Sequence, residues 1–264
     1  KNGKRCQALG GAKNHALVLS DAKISQAIDQ LISAAFGSSG QRCMALSVVM
    51  VEKKIKQPFM DNLITKVKSL KVGFQKLESN SYGPLVSDDH LNNVQNYIKL
   101  AEEEGSKIIL DGREINDRRN NDKKGYFLGP TLIDSVKPNM KSYLNEIFGP
   151  VLQIIEIDDV EEGIQIINKN SFGNGCCIFT ENGNNAREFS EKVDIGMVGV
   201  NIPLPVPSSF HSFGGWKNSL FGDLNIYGPD GLRFYTRRKT ITQRWFGSND
   251  LSEINLSMPS NQKN

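Results

Sequence analysis

Cys43 is the residue of this chain whose surroundings most favour covalent chemistry. It ends the segment FGSSGQRC, residues 36–43, in which two glycines interrupt a helical pattern. Such a turn lets backbone N–H groups converge, and Arg42 places a cation beside the thiol. Both features favour the thiolate, which is the nucleophilic form of cysteine. The segment predicts a nucleophile at Cys43, although a cysteine beside the apolar run 44–51 is also typical of a small core residue.

The elements around Cys43 alternate between helices and strands. Apolar residues at helical spacing predict a helix from Asp21 to Ala35, with Asp21 as its N-cap. Further helices are predicted over 57–70, 88–104, 160–168 and 184–193, and strands over 15–19, 46–51, 107–110, 125–136, 152–157, 175–180 and 197–201. This alternation predicts an α/β fold with a doubly wound, mostly parallel sheet.

The last quarter of the chain has a different pattern. Prolines and glycines predict an irregular loop over 203–231. Leu232 to Thr242, LRFYTRRKTIT, is predicted to form a strand whose charged side chains are typical of an edge or intersubunit strand. The tail from Gly247 to Asn264 is polar, and we expect it to be disordered.

Composition excludes several classes of function. The 32 lysines and arginines nearly balance the 29 acidic residues, which does not indicate a nucleic-acid surface. The four cysteines lack CxxC spacing and the three histidines are scattered, so no metal site is expected and a reducing compartment is indicated. No apolar run approaches the length of a membrane span, and no targeting segment is visible. The chain begins with Lys1, and we expect its natural start to lie upstream.

Short motifs along nearly the whole chain resemble the aldehyde dehydrogenase superfamily. They follow the family's order: LGGAKNH, GQRC, YGPL, GYFLGPTLI, EIFGPV, FGNG, MVGVN and SFGGWKNS. Cys43 matches the nucleophile of the family's Gly-Gln-Xaa-Cys turn. The resemblance implies four segments: the end of a nucleotide-binding domain over 1–11, the catalytic domain over 12–228, an oligomerisation strand over 229–246 and a polar tail over 247–264.

The resemblance also implies a binding site for NAD. In the EIFGPV motif, Glu146 matches the residue that accepts hydrogen bonds from the nicotinamide ribose, and Phe148 matches the one that flanks the nicotinamide ring. The rest of the NAD site lies in the family's preceding domain, with the asparagine that completes the oxyanion hole. Without the resemblance, Glu146 would be interpreted as a surface carboxylate.

One departure from the family pattern predicts how the product is released. Hydrolytic members have Glu-Leu-Gly-Gly-Lys where this chain has LGGAK, so that alignment on Lys13 places Leu9 at the position of the glutamate that activates water. Leucine has no titratable group and cannot be a general base. The subgroup with this departure uses coenzyme A, and the motifs most resemble its methylmalonate-semialdehyde dehydrogenases. The implied reaction is NAD-dependent oxidative decarboxylation of malonate or methylmalonate semialdehyde, through a Cys43 thioester, to acetyl-CoA or propionyl-CoA.

Three residues are candidates for substrate binding. Arg42 can bind a substrate carboxylate with two parallel hydrogen bonds, and it can equally bond carbonyl groups of its own loop. Phe210 and Phe213 are predicted to line the substrate funnel, with ordinary core packing as the alternative. We interpret His15 as structural.

Two other functions remain open at this stage. The first is a hydrolytic NAD(P)-dependent aldehyde dehydrogenase, and the second is a non-catalytic chain that keeps the fold and the oligomerisation strand. The resemblance implies a homo-oligomer built as a dimer of dimers, with small-molecule partners only and neither nucleic acid nor membrane. It also implies the mitochondrial matrix for a eukaryotic protein and the cytoplasm for a bacterial one.

Overall fold

A seven-stranded sheet is the centre of the computed structural model, which describes residues 2–74, 80–114, 125–243 and 245. Every neighbouring pair of strands in it is parallel, except β4 and β5, which are antiparallel at one edge. The predicted doubly wound, mostly parallel α/β sheet is therefore confirmed. The spatial order is β4 (Lys107–Leu110), β5 (Thr131–Asp134), β6 (Val151–Ile157), β3 (Leu46–Glu52), β2 (Asn14–Val18), β8 (Gly175–Phe179) and β9 (Met197–Val200).

Helices cover both faces of this sheet. On one face lie α1 (Ile24–Phe36) and α2 (Lys56–Lys68), and on the other lie α3 (Asp88–Glu103), α5 (Val160–Lys169) and α6 (Gly183–Lys192). Successive residues of a strand point to opposite faces, so Val18 joins the first core and Leu17 the second. Both cores are apolar because the central strands are buried on both sides.

Two small antiparallel pairs attach the irregular loop to the rest of the chain. Strand β1 (Ala8–Leu9) pairs with β11 (Leu220–Phe221), and β7 (Phe172–Gly173) pairs with β10 (Trp216–Lys217). Both pairs are two residues long, so no sequence period could have predicted them. They bring the LGG and SFGGWKNS motifs into contact.

The start of α1 differs from the prediction. The helix begins at Ile24, and Asp21 is not its N-cap. The Asp21 carboxylate instead accepts hydrogen bonds from the Thr180 hydroxyl, at 2.9 and 2.7 Å, and from the Glu181 N–H at 2.9 Å. A competing partner from a distant loop therefore binds the side chain that local sequence assigned to the helix.

The predicted strand from Leu232 to Thr242 is wrong in its first part. Residues Pro229–Tyr235 form the short helix α7, because Gly228 adopts a φ of 66° and Pro229 occupies the first helical turn, where its missing N–H costs nothing. Thr236, which follows this helix, has extended dihedral angles of φ −119° and ψ 160°, and residues 236–243 pair with no strand among the described residues. The predicted polar tail, 247–264, lies outside the described residues.

A membrane-spanning helix is absent from the described part of the chain, since none of its helices has the necessary length and apolar character. Within the same residues no group of three or more His, Cys, Asp or Glu side chains could hold a metal ion.

The four cysteines fall into two classes. Cys6 and Cys43 are exposed, whereas Cys176 and Cys177 are buried, and burial raises the pKa of both buried thiols.

Candidate active site

The candidate site lies at the amino edge of the sheet. Strands β2, β3, β6 and β8 begin at residues 14, 46, 151 and 175. They are parallel, so the segments that precede them meet at one edge. These segments include the motifs GAKN, GQRC, EIFGP and FGN, and the fold thus brings together the motifs that carry the predicted chemistry.

The turn before Cys43 has a strained backbone. Ser38 and Ser39 have φ of 54° and 58°, in the left-handed region that non-glycine residues rarely adopt. Gly40 has φ 68°, and a Cβ on it would lie 2.2 Å from the carbonyl oxygen of Gly149. Glycine is thus required there twice, by conformation and by close approach to the EIFGP segment.

Neighbouring loops hold this turn in place. The Ser39 hydroxyl donates to the Gly83 carbonyl at 2.7 Å, and the Gln41 side-chain oxygen accepts from the Val86 N–H at 3.1 Å. Both partners belong to the loop that contains YGPL, a motif that carries no reactive group. We infer that YGPL supports the nucleophile turn.

Cys43 itself has an exposed side chain and a fixed carbonyl group. The carbonyl oxygen accepts a hydrogen bond from the Asn14 amide at 2.9 Å and another from the Asn174 amide at 2.8 Å. No described residue accepts a hydrogen bond from its N–H. The thiol and this N–H therefore both remain available to a bound molecule.

Arg42 lies against its own turn, and only the Nε of its guanidinium donates a hydrogen bond to a described residue. Its Nε donates to the Ser38 hydroxyl at 3.0 Å, and the guanidinium packs over Gly37. The side chain is exposed and borders the same small pocket as Gly40. The sequence left open that Arg42 bonds carbonyl groups of its own loop. The structure shows a bond within that loop, but to the Ser38 hydroxyl.

Glu146 and Phe148 border that pocket too. The half-buried Glu146 carboxylate accepts a hydrogen bond from the Ala12 N–H at 2.9 Å. Burial raises the pKa of Glu146, and the Ala12 N–H and the Lys13 charge oppose that effect. Phe148 has φ 59°, its carbonyl accepts from the His90 ring at 2.7 Å, and its side chain is partly exposed.

Lys13 carries a buried amine beside the site. Its ammonium donates to the carbonyls of Ser142 and Asn145, at 3.1 and 2.9 Å, around the end of the short helix α4 (Lys141–Leu144). Burial lowers the pKa of Lys13 to about 7, against the opposing effect of Glu146. Lys13 therefore fixes the backbone that leads into Glu146.

His15 has the structural role that we expected. It is fully buried, and its Nε2 lies 2.8 Å from the Tyr143 hydroxyl. Burial and the nearby Lys13 lower the pKa of His15 to about 3, so the ring is neutral at physiological pH. A neutral, buried imidazole here packs and orients Tyr143.

The other predicted residues are more dispersed. Leu9 is 61% exposed and pairs with Leu220 through the backbone. Phe210 is 83% exposed, and Phe213 packs against Tyr227 with ring centres 5.4 Å apart. The substrate-lining role of the two phenylalanines stays a prediction.

Comparison with known proteins identifies the family. The model of the aldehyde dehydrogenase family matches residues 1–241. The chain belongs to the aldehyde dehydrogenase family. Its similarity extends to a malonate-semialdehyde dehydrogenase of Pseudomonas aeruginosa, with 49% identity over 93% of this chain and 49% of the relative. The chain thus spans about half the length of the curated relatives it matches.

Solved structures agree with this assignment. A methylmalonate-semialdehyde dehydrogenase of Oceanimonas doudoroffii superimposes with a TM-score of 0.90 and 51% identity, over 94% of this chain and 50% of that one. A Sinorhizobium meliloti protein, described as a methylmalonate-semialdehyde dehydrogenase and solved with NAD, gives 0.88 and 42% over the same shares. The family's fold, and the recognition made from the motifs, are confirmed.

Proposed function

We propose that this chain is the catalytic portion of an NAD-dependent, CoA-acylating dehydrogenase of malonate or methylmalonate semialdehyde. The observation that carries the proposal is the exposed Cys43 thiol, which directly follows a strained turn and Arg42, a residue that borders one small pocket with Glu146 and Phe148. The names of the relatives support the substrate class. Because the chain spans half of their length, the activity is proposed for the complete polypeptide.

The first step is attack of the Cys43 thiolate on the aldehyde carbon. A C–S bond forms, the carbonyl π electrons move to oxygen, and an alkoxide results. The Cys43 N–H can donate to that alkoxide, since no described residue accepts a hydrogen bond from it. The family's asparagine, expected in the preceding domain, would be the second donor.

Arg42 is the proposed partner of the substrate carboxylate. Its Nε donates to the Ser38 hydroxyl, which orients the guanidinium, and the residue borders the pocket that Glu146 and Phe148 also line. A guanidinium binds a carboxylate with two parallel hydrogen bonds, which gives direction as well as charge. A carboxylate two carbons from the aldehyde would then place that aldehyde near the neighbouring thiol.

The described residues fit the nicotinamide end of NAD. One oxygen of the Glu146 carboxylate is held by the Ala12 N–H, which leaves the other as an acceptor for ribose hydroxyl groups. Phe148 presents a partly exposed ring at the same pocket. When NAD is bound it accepts the hydride from the alkoxide carbon, and the alkoxide becomes a thioester.

Release of the acyl group is proposed to need coenzyme A. Carbon dioxide leaves from the β-carboxylate of the thioester, and a proton replaces it. The coenzyme A thiolate then attacks the thioester carbonyl, the C–S bond to Cys43 breaks, and the new thioester and the Cys43 thiolate are released. Leu9 offers no base for water, which supports a thiol over water as the acceptor.

Trapping of the thioester tests this proposal. The complete polypeptide is mixed with NAD and methylmalonate semialdehyde without coenzyme A, quenched in acid, digested and mapped by mass. We expect a propionyl group on the Cys43 peptide and one equivalent of NADH. Cys43→Ser should abolish both, whereas Cys6→Ser, which removes the other exposed thiol, should change neither. A full NADH burst from Cys43→Ser would overturn the proposal.

A further inference from the structure

Two buried asparagines converge on the backbone of the proposed nucleophile. Asn14 is the first residue of β2, and Asn174 immediately precedes β8. Their side chains are buried, with 3% and 8% of their surface exposed. Both amide nitrogens donate to the same atom, the carbonyl oxygen of Cys43, at 2.9 and 2.8 Å.

This arrangement satisfies hydrogen bonds on several segments at once. A carbonyl oxygen has two lone pairs, and here each accepts from one amide. The second N–H of Asn14 donates to the Ala45 carbonyl at 2.9 Å, and its oxygen accepts from the Gly175 N–H at 3.0 Å. The Asn174 amide also lies 3.0 Å from the Met44 sulfur. Asn14 thus ties the start of β2, the turn before β3 and the start of β8.

We propose that Asn14 and Asn174 are positioning residues that fix the Cys43 peptide, so that its exposed thiol occupies one reactive position. The proposal rests on the proposed function, in which Cys43 is the nucleophile. Gly40 holds the turn from the preceding side by its contact with Gly149. The two amides hold it from the following side, on strands that belong to the central sheet.

A purely structural role makes a different prediction. Buried carbonyls need donors, and loss of a donor costs stability wherever it occurs. Asn170 provides the matched comparison: it is equally buried in the segment before β8, its oxygen accepts from the Phe172 N–H at 3.0 Å, and it does not bond Cys43. If the asparagines only stabilise the fold, replacement of Asn174 and of Asn170 should have similar consequences.

The test compares Asn174→Ala and Asn14→Ala with Asn170→Ala in the complete polypeptide. One readout is the alkylation rate of Cys43 by iodoacetamide at the high-pH plateau, with each labelled peptide identified by mass and Cys6 as internal standard. The other is steady-state NADH formation, separated into kcat and the KM for NAD.

We expect Asn14→Ala and Asn174→Ala, the two clamp variants, each to lower the plateau alkylation rate and kcat by about 10-fold or more. Small displacements of reacting groups lower reaction rates strongly. The KM for NAD should stay within about twofold, and Asn170→Ala should leave both rates near wild type. Equal effects of Asn174→Ala and Asn170→Ala would overturn the inference. Should either clamp variant fail to fold, the other one decides.

The proposed function is tested separately by Cys43→Ala. If that variant keeps full turnover, the nucleophile assignment fails, whatever the asparagine variants do. If it abolishes turnover and both clamp variants react as fast as wild type, the nucleophile stands and the positioning role fails.

Discussion

Leu9 is the single residue that most directly distinguishes thiol transfer from hydrolysis in this account. Its side chain is largely exposed, and its backbone pairs with Leu220, so a polar residue should be tolerated there. We predict that Leu9→Glu raises CoA-independent turnover by at least about 10-fold, since a positioned general base contributes about 10²–10⁴-fold when water is well placed. Steady-state NADH formation without coenzyme A measures it.

The control for that change is Leu9→Gln. Glutamine has the size and polarity of glutamate but cannot take a proton at neutral pH. It should leave CoA-independent turnover at the wild-type level. A similar gain in CoA-independent turnover from both variants would show that Leu9 prevents hydrolysis by excluding water, and not by lacking a base.

Arg42 carries the prediction about substrate choice. Lysine keeps the positive charge and loses the planar pair of donors. We predict that Arg42→Lys lowers kcat/KM for methylmalonate semialdehyde by about 10-fold or more and changes kcat/KM for propanal by less than about threefold. The measurement is the ratio of kcat/KM for methylmalonate semialdehyde to kcat/KM for propanal. An unchanged ratio would show that Arg42 does not bind the substrate carboxylate.

Sequence reasoning named candidate reactive groups, whose roles stay predictions, and it missed two residues that contact the backbone of the nucleophile candidate. Cys43, Arg42, Glu146 and Phe148 carry distinctive chemistry or motif positions; the last three border one pocket, and Cys43 follows Arg42 in the chain. Asn14 and Asn174 were missed, because an asparagine that bonds a distant carbonyl has the same local signature as one in a loop. The sequence shows the motifs GAKN and FGN, but it does not show that their asparagines share the Cys43 carbonyl as a partner.

The link between the start of β2 and α4 is an element-scale feature to which the buried Lys13 amine contributes, beside the contact of His15 with Tyr143. Lys13 bonds carbonyls at the end of α4, and burial lowers its pKa to about 7. In the unfolded chain the same amine titrates near its ordinary value of about 10.5. Between these values the unfolded state binds a proton that the folded state has released, so stability from this group rises with pH.

We therefore predict a pH-dependent difference between wild type and Lys13→Met. As pH rises from 7 to 9.5, the free energy of unfolding of wild type should increase relative to the variant, by about 1.4 kcal/mol per pH unit at most. Urea unfolding of the complete polypeptide at several pH values measures it. Lys53→Met, at an exposed position, is the control and should show no such trend. A difference that is constant with pH would contradict the assignment.

Elements were predictable where local pattern and tertiary contact agree. Helix α2 and the inner strands of the central sheet follow their periodicity, because each buries one continuous apolar face or run. The helix over 229–235 was mistaken for a strand since a Gly-Pro start outweighed a β-rich composition. The pairings of β1 and β7 depend on segments far along the chain, and local pattern holds no information about them.

At the scale of the whole molecule, the alternation of elements predicted the class of fold but not the order of strands. The order places β2 between β3 and β8, and this is what brings Asn14, Cys43 and Asn174 together. Strand order depends on packing between distant segments, which the sequence pattern does not encode locally.

Assembly and compartment remain proposals at this scale. Exposed apolar side chains are concentrated in the region from Val200 to Trp245, and residues 236–243 have no strand partner in the described chain. An unpaired extended edge can pair with another chain. We propose that this segment contributes to a homo-oligomer, as a dimer of dimers, and that the compartment follows the source organism as the resemblance implies.

NADH formation by the complete polypeptide with methylmalonate semialdehyde, measured with and without coenzyme A, decides between thiol transfer and hydrolysis. We predict sustained turnover with coenzyme A and a single burst, of one equivalent per Cys43, without it. Equal sustained turnover in both conditions would show that water releases the acyl group, and it would contradict the CoA-acylating function proposed here.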